Sequence, residues 1–190
     1  MNQKILMQQE SGKLSVRIGL ALFKVILGSI LLAALSQLAI PLPFSPVPIT
    51  MQTLGVALLT ITLGPRLACF SVLTYLAQAT IGLPVLAGGF SNPLWMIGPK
   101  AGYLIGFAVA PLLVGTLLKK QTHFSFIKTW CILSLNEISI LIVGTSWLGF
   151  FVGWENTFIM GLAPFIPGAL WKITIAAFSF QPIAWIKSKF

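Results

Sequence analysis

Between Ile18 and Ile186 the chain is a succession of apolar stretches, and nearly all of its charges fall between them or at the ends. A helix needs about 20 residues to cross the hydrocarbon of a bilayer. Lipid offers no partner to backbone N–H and C=O groups, so a spanning segment of this kind has to be helical. Of the 190 residues, 57% are hydrophobic and 8% are charged, against about 25% charged in soluble domains. The composition therefore excludes a soluble fold and predicts an all-α, multi-pass integral membrane protein.

The breaks locate the helices. Met1 to Arg17 is polar and basic and reads as a tail able to form a short surface helix; residues 18–190 read as one membrane domain. Six spans are expected, at 18–40, 49–63, 67–83, 101–118, 129–152 and 165–186. The first is longer than a signal-peptide core and is expected to be retained. Between the spans, Pro41 to Pro48 carries four prolines, which lack the N–H a helix needs. Gly64-Pro65-Arg66 reads as a tight turn, and Pro84 to Pro99 and Gly153 to Pro164 as Gly/Pro-containing loops. Cys69 and Cys131 fall inside apolar segments and read as small buried hydrophobes.

Charge then orients the bundle. With the N-terminus inside and six spans, Lys4, Lys13, Arg17, Lys24, Arg66, Lys119, Lys120, Lys128, Lys187 and Lys189 lie on the cytoplasmic side, and Lys100 alone on the other. Lys and Arg resist translocation, so both termini are expected in the cytoplasm. The net charge of +9 thus reads as topology and not as nucleic-acid binding. Most tryptophans read as interfacial belt residues.

On this topology the irregular connections, apart from the Gly64 turn, gather on the outer side. Irregular backbone at membrane depth is tolerated where protein covers it or a cavity is lined by it. Lys172, inside the last span, is expensive there unless it faces a cavity, a partner or a ligand; the alternative is snorkelling to the interface. Lys100 opens the fourth helix on the same side. The expectation is an outward-facing pocket with two cations, suited to a small, mostly apolar ligand bearing a carboxylate. Glu137, midway along the fifth span, is expected to neutralise Lys172 or Lys100, or to sit protonated against a carbonyl.

Other classes fit poorly. His123, the only histidine, and Ser146 fall on opposite sides of the membrane, which excludes a Ser–His pair. No Cys/His cluster suggests a metal, no filter motif suggests a channel, and no cofactor is implied.

Four motifs in order carry a resemblance. These are Pro41-Leu42-Pro43-Phe44-Ser45-Pro46-Val47-Pro48-Ile49-Thr50-Met51-Gln52-Thr53-Leu54; Leu63-Gly64-Pro65-Arg66 with Gly82-Leu83-Pro84-Val85 and Ala87-Gly88-Gly89; Gly98-Pro99-Lys100-Ala101-Gly102-Tyr103; and Pro164 to Lys172. Together they resemble BioY-type biotin transporters. The resemblance implies a six-helix substrate-binding component of an energy-coupling-factor importer in the cell (inner) membrane. Such a component docks on a transmembrane coupling protein with two ATPases, and the chain has no P-loop of its own.

On this reading Lys172 is the anion or hydrogen-bond clamp and Lys100 a second candidate; Asn92, in the region where the family places a site asparagine, and Tyr103 orient the ligand; Thr50 and Gln52 donate at the pocket mouth. The same reading implies close backbone approach at Gly88, Gly89 and Gly102. Asn92 reads equally as a turn residue before Pro93. Ser29 and Ala33 on the first helix are candidates for partner docking, or for packing within the bundle. Two positions depart from the pattern. Ala169 stands where the family motif carries an aspartate, and Lys100 where it carries a threonine. An alanine cannot accept from the ureido N–H groups of biotin, so a sulfur-ring acid without a ureido group, such as lipoate, is the alternative ligand.

Overall fold

Apolar residues recur along the first helix in two patterns at once. Val25, Gly28, Ser29, Leu32 and Ser36 fall on one face and are buried, while Leu22, Phe23, Ile26, Leu27 and Ile30 on the other are exposed. In a computed structural model, which describes residues 2–119 and 125–189 and the side chains of 12–118 and 125–180, this is helix α1, Asn2–Gln37. Its buried stripe lies against the helix Pro65–Thr80. Its exposed leucines, isoleucines and phenylalanine are a lipid-facing surface, since a face this apolar has no stable place in water.

The chain continues as hairpin β1 (Ala39–Leu42) and β2 (Ser45–Thr50), then helices α2 (Gln52–Leu63), α3 (Pro65–Thr80), α4 (Ala101–Lys119) and α5 (Phe126–Val152). A short helix α6 (Trp154–Thr157), a π-helical turn (Phe158–Leu162) and a 3-10 turn (Ala163–Phe165) lead into α7 (Ile166–Lys189). Among the described residues, four stretches are long and apolar enough to cross a membrane: Gly12–Gln37, Ala101–Leu118, Phe126–Val152 and Trp154–Phe180. α2, with 12 residues, and α3, with 16, are shorter than that.

Several expectations are corrected. The tail and the first span are one unbroken helix through Arg17. The proline run is an antiparallel hairpin, with Ala39 opposite Thr50 and Leu42 opposite Ser45, and an irregularity between Ile40 and Leu42. A two-stranded ribbon has two free edges, which is where prolines are tolerated in a strand. Pro65 and Arg66 are helical; only Gly64, at φ 82°, separates α2 from α3, because Pro suits the first turn of a helix.

The expected loop 153–164 is helical beyond Gly153, which at φ 80° is the actual break. Pro167 sits in the first turn of α7, where no N–H is missed, and Pro164 in the first turn of the 3-10 segment. Pro164 still has no N–H for the Met160 carbonyl four residues before it, and the Ser45 hydroxyl donates to that oxygen at 2.7 Å. Cys131 is exposed on α5, not buried. The indoles of Trp95, Trp130 and Trp147 donate to Thr80, Thr174 and the Gly98 carbonyl, so these three are bonded within the protein. Lys120 and His123 lie outside the described residues, as do the side chains of Trp185, Lys187 and Lys189.

α4 and α5 pack along a seam of glycines. A Cβ on Gly106 would stand 3.0 Å from the Ile140 Cα and 3.2 Å from its carbonyl oxygen. Backbone cannot yield as a side chain does, so Gly106→Leu is expected to cost roughly 1–3 kcal/mol or more. Thermal unfolding in detergent should show a clear fall in Tm for Gly106→Leu. Gly19→Leu, on α1 with nothing within 4 Å, should leave it unchanged.

Candidate functional site

The hairpin, the 81–100 loop and the turns before α7 meet at one end of the bundle. The α1 terminus is tied to the 81–100 loop, with Ser36 Oγ donating to the Val85 carbonyl at 2.6 Å and Gln37 Nε2 to that of Leu86 at 3.3 Å. The hairpin reaches the π turn through Ser45. Tyr103 Oη donates to the Gly161 carbonyl at 2.7 Å, joining α4 to the same turn. Among these elements lies a cavity of about 370 Å³, within the range of small-molecule sites. Its walls are mostly apolar, with Val47, Trp95, Leu104, Phe107, Ile140 and Phe165 among them.

The polar groups are few. Lys172 reaches the cavity from α7 and is 4% exposed. Its Nζ donates to Thr53 Oγ1 at 2.6 Å and to the Thr50 carbonyl oxygen at 3.2 Å. Glu137, buried on α5, interacts with both the Lys172 charge and the Thr53 hydroxyl. The chain contains no aspartate and three glutamates, Glu10, Glu137 and Glu155; among them Glu137 lines the cavity. Beside this cluster, Gln52 Nε2 donates to Tyr75 Oη at 2.8 Å, and Thr50 Oγ1 lies 3.3 Å from Gln52 Oε1. The start of α2 therefore supplies a polar wall, because its first residues leave the hairpin with side chains turned inward.

Lys100 and Asn92 stand apart at the exposed rim. Solvent reaches Lys100, yet its partial burial against the cavity holds its ammonium below the usual lysine pKa range. Asn92 Oδ1 accepts from the Leu94 N–H at 3.0 Å, the turn its place before Pro93 suggested, and the residue also borders the cavity.

Seven residues singled out from the sequence thus line one cavity: Thr50, Gln52, Asn92, Lys100, Tyr103, Glu137 and Lys172. Others lie elsewhere. Gly102 is a packing glycine, since a Cβ there would meet the Val143 carbonyl at 2.7 Å on α5. Gly88 and Gly89 take positive φ in the loop, and Gly88 borders a separate, smaller cavity. Ser29 is fully buried, donating to Ile26 and accepting from Gln78 on α3, so its small side chain serves packing between helices. Ala33 is half-buried against the main apolar cluster. Ala169 is buried in the second cluster, among Ala57, Ile61 and Ile173, and does not line the cavity. Thr53 and Tyr75 escaped notice; both lie within otherwise apolar helical sequence, and nothing local marks them as bonded to Lys172 and Gln52.

The fold and the cavity define a multi-pass helical membrane protein with an internal site of small-molecule size. A family model described as the BioY family matches residues 7–188, and the chain belongs to that family. It is 37% identical over 145 residues to the biotin transporter BioY2 of Lactococcus lactis, covering 74% of this chain and 76% of the relative. It is 35% identical over 160 residues to the biotin transporter BioY of Rhodobacter capsulatus, covering 77% and 83%. A solved structure, the S-component for biotin from an ECF-type ABC transporter, superposes with a TM-score of 0.79 at 31% identity, covering 88% of this chain and 92% of that one. These relatives are named for biotin, and lipoate has no support among them.

Lys172 and Glu137 are oppositely charged groups buried beside one cavity, and removing one of two such buried charges leaves the other uncompensated, at about 3–5 kcal/mol. Lys172→Met should therefore lower Tm strongly. The double variant Lys172→Met/Glu137→Gln should recover part of that loss, and the non-additivity measured by thermal unfolding reports the coupling.

Proposed function

We propose that the chain is the substrate-specific membrane component for biotin uptake and that the cavity is its vitamin site. The observation that carries this reading is the cavity's polar end, where Lys172, Thr53 and Glu137 meet within otherwise apolar walls. Biotin divides the same way, into a ureido ring with N–H donors and a C=O acceptor, an apolar body and an acidic tail. The Glu137 carboxylate accepts from ureido N–H, and Lys172 and Thr53 donate to its oxygen. Tyr75 and Gln52 extend the donor set, Asn92 and Tyr103 orient the ligand, and Trp95, Phe107 and Phe165 enclose its body.

Topology supports uptake. With α2 and α3 counted as short spans there are six, and the Lys/Arg distribution favours both termini in the cytoplasm of a cell (inner) membrane. The cavity end of the bundle then faces outward. The relative titled an S-component of an ECF-type ABC transporter points to partner subunits, a coupling protein and ATPases, as the source of energy.

Biotin should bind the purified protein tightly, and excess lipoate should fail to displace it. Displacement by lipoate, or no binding of labelled biotin, overturns the reading. Glu137→Gln should weaken biotin by about tenfold or more, since a charged acceptor is lost from a buried site; unchanged affinity would remove Glu137 from the site.

A further inference from the structure

Three ionisable groups other than tyrosines line the cavity: Lys100, Glu137 and Lys172. Lys172 and Glu137 lie close enough for their charges to interact, and those charges sum to zero when both groups are ionised and when both are neutral. The cavity therefore keeps one net positive charge, and it resides on Lys100. Lys172 is also the more fully engaged of the two lysines, with the Thr50 carbonyl and Thr53 hydroxyl as acceptors. Lys100 has no hydrogen bond or ion pair from its ammonium to any other described residue.

A second cavity of about 240 Å³ adjoins the first, under the hairpin and the 87–90 turn. Pro48, Ala87, Phe90 and Lys100 line both, so Lys100 stands at their junction. The remaining walls of the second cavity, Leu42 and Pro46 among them, are largely apolar.

From this we infer that the two cavities form one elongated site in which Lys100 binds the ligand's carboxylate, with the tail reaching the junction, while Lys172 reads neutral polar groups at the far end. The inference rests on the proposed vitamin site and deepens it. It assigns the free-acid specificity to a residue that stands in place of the family motif's threonine. An ammonium without an internal partner gains most from an arriving anion, because no protein group has to be displaced from it. A lysine already bonded to a hydroxyl, a carbonyl and a carboxylate's field gains least.

The test uses the purified full chain, with biotin and its neutral methyl ester as probes. Wild type should prefer the acid by about tenfold, the scale of a charge-assisted hydrogen bond at a partly exposed site. Lys100→Met should bring the ratio of the two dissociation constants to about one, and Lys100→Arg should keep the preference. Lys172→Met should weaken both ligands and preserve the ratio. A preference that survives in Lys100→Met, or that collapses in Lys172→Met instead, overturns the assignment. So does loss of both ligands in Lys100→Met, which would mark Lys100 as structural. If wild type binds neither probe, the vitamin site itself falls, and the assignment with it; if wild type binds both equally, only the assignment falls.

Discussion

A lysine in the middle of an apolar bundle has to be answered by the rest of the protein. The cost of its charge in low dielectric is several kcal/mol unless hydrogen bonds and an opposite charge compensate it. Here, for Lys172 on α7, the compensation comes from three other segments: the Thr50 carbonyl at the end of β2, the Thr53 hydroxyl in the first turn of α2, and the charge of Glu137 on α5. The arrangement fixes where α2 begins relative to α7. It also requires the hairpin before α2 to end where it does, since Thr50 closes β2 and gives its carbonyl to Lys172.

The same requirement organises the irregular end of the bundle. Polar backbone that leaves regular helix must find partners inside the protein. The hairpin supplies Ser45 to the Met160 carbonyl, which Pro164 cannot serve; Tyr103 supplies the Gly161 carbonyl; Trp147 supplies the Gly98 carbonyl. Each bond joins segments far apart in sequence and frames the cavity. In the opposite half the Trp130 indole on α5 is bonded to Thr174 on α7. There Ala57, Val114, Leu133, Ala176 and Phe180 form a plain apolar cluster among regular helices.

Much of this was legible in the chain. Hydropathy marked the long helices, and Lys172, Glu137 and Lys100 pointed to the cavity they line, because ionisable groups beside apolar segments need a reason. What escaped reading escaped for physical causes. Proline reads as a loop signal at Pro164, but a first-turn proline begins a helix as readily as it ends one. The 41–48 segment was read as a helix break without its hairpin, because pairing is non-local and its prolines mask strand alternation. Gly102 was assigned to the ligand although its lack of a side chain serves the α4–α5 seam; the sequence alone does not distinguish close approach to a ligand from close approach to a helix.

The position of the acid bears on how such a site tolerates change. The motif that Pro164 to Lys172 resembles carries an aspartate three residues before its lysine, whereas Ala169 here is packed among alanines and isoleucines. An acid at that place would stand on the same helix face as Lys172, one turn away. The present chain neutralises Lys172 from α5 instead, through Glu137. Neutrality and hydrogen-bond satisfaction constrain the cavity as a whole and do not dictate which helix supplies the carboxylate. Once Glu137 meets that constraint, position 169 is free to be apolar. A cation can then be carried at position 100, at the rim, without leaving an uncompensated charge in the interior.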